Sequence, residues 1–237
     1  MTKPVKTKTL RTIDRGRGSV LTARVIYADP PWRFLTRSVK GKGRSAEAWY
    51  NCMTLADIKA LPVAQMAARD SLLLLWTTRT YLEQAFGVIA GWGYVYKTIA
   101  FTWVKTTKDG KGFPMGMGYH TRGNPELCLL AARGKGVQRL RRDVRELIIS
   151  PRRKHSQKPD EPYDRIERLW PGAYLELFAR NHRTGWKSLG DEVDSGPIMQ
   201  RRWPSNGYPQ SSPDAGGERW RPHAGPAAPA GRPRPTR

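Results

Sequence analysis

Val25-Ile26-Tyr27-Ala28-Asp29-Pro30-Pro31-Trp32 is the stretch on which the fold of this chain turns. Its first four residues form a short continuous apolar run, the pattern of a strand buried on both faces. Asp29 and the two prolines end that strand, because proline fixes φ and has no N–H to give to a sheet ladder. Trp32 then sets a large aromatic ring just past the strand end. A strand buried on both sides needs helices on both sides, so the neighbouring sequence should alternate between the two periods.

It does. Ser71–Trp76 (SLLLLW) reads as a second buried strand, Lys97–Val104 as a third and Glu126–Ala132 as a fourth. Val144–Ser150 fits a further strand, and Ala173–Phe178 is the last clear one. Between them, Thr54-Leu55-Ala56-Asp57 carries a capping hydroxyl with an acid three positions on, a helix start. Leu82, Ala85, Phe86 and Ile89 recur at helical spacing, and Gly91 and Gly93 close that helix. Asp160–Trp170 places Pro162 in a first turn and Tyr163, Ile166, Leu169 and Trp170 on one face. The pattern predicts an α/β fold, an open twisted sheet with helices on both faces and crossover connections. Lys105–Asn124, rich in glycine and bases, is too long for a tight connection and reads as a mobile functional loop.

Charge is the second strong signal. With 42 Lys+Arg against 20 Asp+Glu, the net charge is +22, a self-repulsion that a polyanionic partner would relieve. Nucleic acid fits better than an anionic membrane, since no long apolar segment or basic amphipathic helix accompanies the charge. Cys52 and Cys128 lie far apart without metal-ligand spacing, so no metal site is expected, and both read as buried thiols of a reducing compartment. The N-terminus is basic and lacks the apolar stretch of a signal peptide. A soluble, cytoplasmic protein is the expectation. Three regions are expected: a basic lead-in over 1–23, one folded domain over 24–194, and a disordered basic tail over 195–237. That tail holds 9 of the 19 prolines and seven arginines against two acids.

The tetrapeptide itself suggests a chemistry. An acid beside a proline carbonyl offers two hydrogen-bond acceptors to the amine of a flat base, and Trp32 offers a ring for stacking. The bland alternative is a turn after a strand, with Trp32 as a core aromatic.

A second, more extended constellation lies near the end of the folded region. It runs Gln157-Lys158-Pro159-Asp160-Glu161, Leu169-Trp170-Pro171-Gly172, Leu175-Glu176-Leu177-Phe178-Ala179-Arg180, Gly185-Trp186 and Leu189-Gly190-Asp191-Glu192. Together with Asp29–Trp32, Trp103-Val104-Lys105 and Glu126-Leu127-Cys128-Leu129, in that order, it resembles the MT-A70 family of adenine-N6 methyltransferases from about Val25 to Asp194. The resemblance implies a Rossmann-like sheet with the catalytic motif ahead of the cofactor region, and S-adenosyl-L-methionine as methyl donor. It implies catalytic roles for Asp29, Pro30, Pro31 and Trp32. It implies cofactor contacts from Lys158, Glu176, Phe178, Arg180, Arg183, Asp191 and Glu192, with Lys158 neutralising the cofactor carboxylate and Glu176 orienting hydroxyls. Where the family often has His, Asn and Asn, this chain has Gln157, Arg183 and Asp191, so hydrogen bonding at those positions differs.

By the same resemblance, two basic segments border the entrance for nucleic acid. One carries Arg33, Arg37, Lys40, Lys42 and Arg44, with Trp49 and Tyr50 as supports for a base. The other carries Lys105, Lys108, Lys111, His120 and Arg122. Arg139, Arg141, Arg142, Arg152, Arg153 and Lys154 extend the track. The reading favours DNA, because a short catalytic domain without partner-binding helices looks like the stand-alone members of bacteria and phages. RNA methylation and a catalytically inactive nucleic-acid-binding subunit are the alternatives.

Overall fold

The computed structural model describes residues 22–32, 52–116, 118, 120–153, 157–190 and 192–193. Residues 1–21 of the expected lead-in, the tail, Lys154 and the whole of the segment carrying Arg33, Arg37 and Tyr50 lie outside the described residues, while Ala23, read as the end of the lead-in, begins the first strand.

Seven strands make one sheet: β1 Ala23–Ala28, β2 Ala67–Thr77, β3 Val95–Thr106, β4 Glu126–Arg133, β5 Leu147–Pro151, β6 Tyr174–Leu177 and β7 Trp186–Leu189. Their order is β5-β3-β4-β2-β1-β6-β7. β1 pairs in parallel with β2 and β6, β6 with β7, and β3 with β5. β4 is antiparallel to both its neighbours, β2 and β3, so it alone runs against the other six. The helices are α1 Leu55–Ala60, α2 Val63–Met66, α3 Leu82–Gly91 and α4 Glu161–Leu169, with a single 3₁₀ turn at Arg79–Tyr81 leading into α3. This is the expected α/β, Rossmann-like open sheet, made mixed by one reversed strand.

Val25, Ile26, Tyr27 and Ala28 are all buried, as a central strand covered on both faces requires. Val25 and Tyr27, with Leu72, Leu74 and Trp76 of β2, pack into the cluster that holds Ile166 and Trp170 at α4. Ile26, Leu73 and Leu75 alternate to the opposite face. There α3 buries Ala85, Val88 and Ile89 and contacts α1, and the Trp92 indole N–H donates to the Ile58 carbonyl at 2.8 Å. The start of α1 follows its sequence signature: Thr54 Oγ1 accepts from the Asp57 backbone N–H at 3.1 Å.

Several boundaries differ from the sequence reading. β3 extends two residues further at each end than Lys97–Val104, and β2 starts at Ala67, because edge and end residues need no apolar side chain to stay in the ladder. β5 begins at Leu147, three residues late, since residues 144–146 serve the turn into it. β7 is absent from the sequence reading; its pattern is carried by buried Trp186 and Ser188 around exposed Lys187, too short a run for a period to declare itself. Cys128 is buried as expected, whereas Cys52 is half-buried. No described helix is long and apolar enough to cross a membrane.

The turns around β6 and β7 meet at Gly190. A Cβ there would lie 2.2 Å from the Ala179 carbonyl oxygen and 2.6 Å from its nitrogen, so only glycine lets the two backbones approach. Ala179 N–H in turn donates to Leu189 O at 3.0 Å, which fixes the chain leaving β6. Gly190→Ala should therefore destabilise the fold by about 1–3 kcal/mol, the range for forced overpacking. Urea denaturation measures this, and an unchanged midpoint would mean that the 179 backbone gives way freely.

Candidate active site

Strand direction decides which residues can meet. The carboxyl ends of β1, β2, β3, β5, β6 and β7 share one edge of the sheet, and the reversal of β4 brings its first residue, Glu126, to that same edge. From β1 the chain proceeds to β2 on one side, while β6 lies on the other. A crevice beyond the strand ends at such a switch point is the usual ligand site of an open α/β sheet. Register sets Ala28 beside Leu177, so Asp29 and Phe178 leave the sheet side by side. A cleft of about 170 Å³ opens there, lined among others by Tyr27, Asp29, Lys158, Tyr163, Glu176 and Phe178.

The tetrapeptide is held firmly. Trp32 N–H donates to Pro30 O at 2.8 Å, a tight turn about Pro31, whose ring fixes φ near the value such a turn needs. Pro31 O accepts from Met53 N at 3.1 Å. Trp32 is 6% exposed, its indole N–H donates to Trp76 O at 3.0 Å, and Tyr81 stacks on it with centroids 5.5 Å apart. One face of the ring read as a stacking platform is therefore already covered by Tyr81.

Asp29, 26% exposed at its side chain, accepts from Lys158 Nζ through Oδ2 at 2.7 Å. The same ammonium lies 3.1 Å from Glu126 Oε2, and Lys105 forms an ion pair with Glu126 Oε1. Lys158 also sits 5.4 Å over the Trp76 ring and Lys105 5.0 Å over Trp103. The result is a row of alternating charge, Lys105–Glu126–Lys158–Asp29. Burial opposes ionisation of Glu126, but the two ammonium groups override it and hold its pKa at about 2. Burial likewise disfavours the Lys158 ammonium, and the two carboxylates override that and push its pKa up. Burial raises the Asp29 pKa, with Lys158 pulling the other way.

A second polar group lies across the cleft. Glu176, 8% exposed, accepts a hydrogen bond from the Tyr163 hydroxyl at 2.7 Å. Burial raises its pKa to about 7, the Tyr163 bond lowers it, and the Asp29 charge adds to the rise. Arg183 lies 4.9 Å over the Tyr163 ring and is engaged by Asp164 at 2.7 Å and Glu167 at 2.9 Å. Phe178 has φ 66, a left-handed conformation that costs a non-glycine residue on the order of 1–3 kcal/mol. That turn places a half-buried ring on the cleft wall instead of in the core. Arg180 lines the cleft and pairs with Glu192 at 3.6 Å.

Of the residues singled out in the sequence, Asp29, Lys158, Glu176, Phe178, Arg180 and Arg183 line this one cleft, and Glu192 joins through Arg180. Asp191 lies outside the described residues. Lys105, read as a nucleic-acid contact, is drawn into the charge row, while His120 and Arg122 are exposed on the connection between β3 and β4. That connection is tied at its neck: Asn124 accepts from Lys105 N–H at 2.8 Å and donates to Lys105 O and Pro114 O, both at 2.9 Å. The basic track divides. Arg152 and Arg153 follow β5 at the cleft edge, but Arg139, Arg141 and Arg142 precede it at the far edge, because β4 ends there. Sequence reading missed the roles of Glu126, Tyr163, Tyr81, Asn181 and His182. The last two were legible as a polar run between Arg180 and Arg183, just past a strand end. Among the described residues no group of three or more His, Cys, Asp or Glu could hold a metal ion.

Residues 23–192 match the family model MT-A70. The chain is 31% identical over 191 residues to the type II methyltransferase M.MunI of a Mycoplasma species, covering 73% of this chain and 79% of that one. It is 32% identical to the N(6)-adenosine-methyltransferase MT-A70-like protein of Arabidopsis thaliana, covering 72% of this chain and 24% of that one. It is 33% identical to the N(6)-adenine-specific methyltransferase METTL4 of Mus musculus, covering 71% and 37%. The chain belongs to the MT-A70 family and is a methyltransferase. It spans about four fifths of the first relative, about a quarter of the second and somewhat over a third of the third.

The charge row has a signature in acid. A carboxyl with folded pKa about 2 against an ordinary 4.5 stabilises the fold above pH 4.5 and loses that contribution as pH falls toward 2. The contribution is on the order of 3 kcal/mol. Glu126→Gln should lower stability by that order at pH 7 and flatten the acid limb of the stability curve. Acid unfolding curves that superimpose below pH 4.5 would rule the charge row out as a stabilising element.

Proposed function

We propose that this member of the MT-A70 family transfers a methyl group from S-adenosyl-L-methionine to N6 of adenine in DNA. The observation that carries the reading is one cleft at the carboxyl edge of the sheet where Asp29, ending β1, faces the Glu176, Phe178 and Arg180 segment around the end of β6. The cleft fits the cofactor by the chemistry of its walls: a buried carboxylate, an aromatic ring in a strained turn, and cations. When bound, S-adenosyl-L-methionine supplies an electrophilic methyl group carried on a sulfonium.

In this reading Glu176 accepts from ribose hydroxyls, Phe178 covers an apolar face, and Arg180 balances the carboxylate, while Lys158, first read in that role, is held between Asp29 and Glu126. Arg183, committed to Asp164 and Glu167, acts by seating Tyr163, which in turn holds Glu176. On the acceptor side, Lys158 takes Asp29 Oδ2, and Oδ1 is the acceptor for one N6–H. Pro30 O gives one lone pair to Trp32 N–H and keeps the other for the second N6–H. Two accepted hydrogen bonds concentrate the amine lone pair on nitrogen, and the proton released after transfer passes to Asp29 and then to water. Alignment supplies most of the acceleration. A paired adenine cannot reach this edge, so the base flips out or comes from a single strand. DNA is favoured because the match covers 79% of the type II methyltransferase and 24% of the adenosine methyltransferase.

Incubation with labelled S-adenosyl-L-methionine and matched DNA and RNA oligomers, followed by mass spectrometry of digested nucleosides, tests the proposal. N6-methyladenine in DNA is expected; product in RNA alone would overturn the DNA assignment. Asp29→Ala should lower kcat at least 10²–10³-fold, the loss typical of a removed electrostatic partner of the transition state. Its nucleic-acid affinity should stay nearly unchanged, and surviving turnover would exclude Asp29 as acceptor.

Cofactor affinity should depend on Glu176 ionisation. Hydroxyl donors prefer the carboxylate, so binding releases a proton and tightens as pH rises through about 7. Calorimetric titrations between pH 6 and 8 should show this in the wild type, beyond the trend left in Glu176→Gln. Parallel pH profiles for the two proteins would remove Glu176 from the cofactor contacts.

A further inference from the structure

We infer that the edge of the sheet opposite the active site carries a second nucleic-acid-binding face, made by Arg139, Arg141 and Arg142 around Leu140. The identity of the polyanion rests on the nucleic-acid reading above; the existence and position of the face do not.

Position comes from strand geometry. Glu126 stands in the active site and Arg133 ends the same strand seven residues later, roughly 23 Å away at ~3.3 Å per residue. The chain turns there, and Leu140 is tied to Leu169 at the end of α4 before the chain runs back to Leu147, which pairs with Thr102 at the level of Leu127. These arginines therefore cannot touch the nucleotide whose base enters the cleft.

The face is built on a fixed support. Val137 is buried in the core cluster, Leu140 N–H donates to Leu169 O at 2.7 Å, and Arg165 of α4 donates to Arg145 O and, at 3.0 Å, to Leu147 O. Asp143 accepts a two-pronged bond from Arg141, both at 3.1 Å, and another at 3.1 Å from Arg168. Arg141 and Arg168 thus share Asp143, and Arg139 and Arg142 have no acidic partner among the described residues. Fixing like charges together is unfavourable without an anion to meet them. Arginine matches phosphate through its planar fork.

Leu140 argues for a nucleic acid over small anions. It is 62% exposed among the arginines, held outward by its own backbone bond. An apolar side chain gains nothing from a hydrated ion, whereas the sugar edges between phosphates offer it carbon contacts. A duplex laid across the cleft edge does not reach the far edge, so this face holds a separate segment or a second molecule. The consequence is bridging: one enzyme grips one stretch while acting on another.

The test uses the full chain. A biotinylated duplex is fixed on beads, protein is bound, and capture of a second, fluorescent duplex is read. Wild type should capture it, and Arg139→Glu/Arg142→Glu should capture less than a tenth as much while still binding the first duplex and melting at the wild-type temperature. The salt slope of binding to long DNA should also fall by about two, near one per lost phosphate contact. Unchanged capture and slope would overturn the inference. So would loss of binding to phosphatidylserine vesicles with bridging intact, which would assign the face to a membrane. A wild-type protein that binds no nucleic acid on the beads would instead refute the nucleic-acid reading itself.

Discussion

The Lys158 ammonium, set between the carboxylates of Asp29 and Glu126, is the interaction on which the site depends. Its two partners come from the ends of two different strands, and Lys158 itself arrives on the segment before α4. Two carboxylates this close would not both ionise without a cation between them. With Lys158 there, Glu126 stays charged and Asp29 keeps an oxygen for its own task. Truncating one member of such a buried set leaves the other charge uncompensated, which is why lone charges are rarely buried while paired ones persist.

That arrangement exists because β4 runs backwards. In an all-parallel sheet Glu126, as the first residue of its strand, would lie at the edge away from the cleft. The antiparallel pairing of β4 with both β2 and β3 turns its start toward the ends of the other strands. It also makes the connection from β3 to β4 pass along the active edge, so Lys105 at the end of β3 and Glu126 at the start of β4 become neighbours. A basic, glycine-rich connection at this edge follows from the topology.

Strand cores were legible because their apolar runs are long and bounded: Val25–Ala28 and the Leu-rich part of β2 appear where their sequences put them. Thr54 capped its helix because a hydroxyl and an acid three residues apart satisfy local backbone groups whatever the tertiary context. β7 was not legible, since its four residues are held by the ladder to β6 and not by a pattern of their own. The residues of the cleft were legible from motif order, but not their pairings. Nothing local to Glu126 signals that a lysine 32 positions later along the chain will meet it. Tyr81 and Tyr163 were hidden for the same reason: a ring that supports a functional residue looks, in sequence, like any ring of a helix face or turn.

The two edges of the sheet carry positive charge to different ends. Within the cleft the bases are matched by acids: Lys105 and Lys158 by Glu126 and Asp29, Arg183 by the more exposed Asp164 and Glu167. Their charges are spent on positioning groups of the site, and little of the net +22 is expressed by them. At the far edge Arg141 and Arg168 share Asp143, and Arg139 and Arg142 have no acidic partner among the described residues. Long-range attraction for a polyanion follows the unmatched charge, so the far edge contributes more to capture than its distance from the chemistry suggests. A small enzyme that separates holding from reacting in this way can keep its grip on a strand while the target base leaves the cleft.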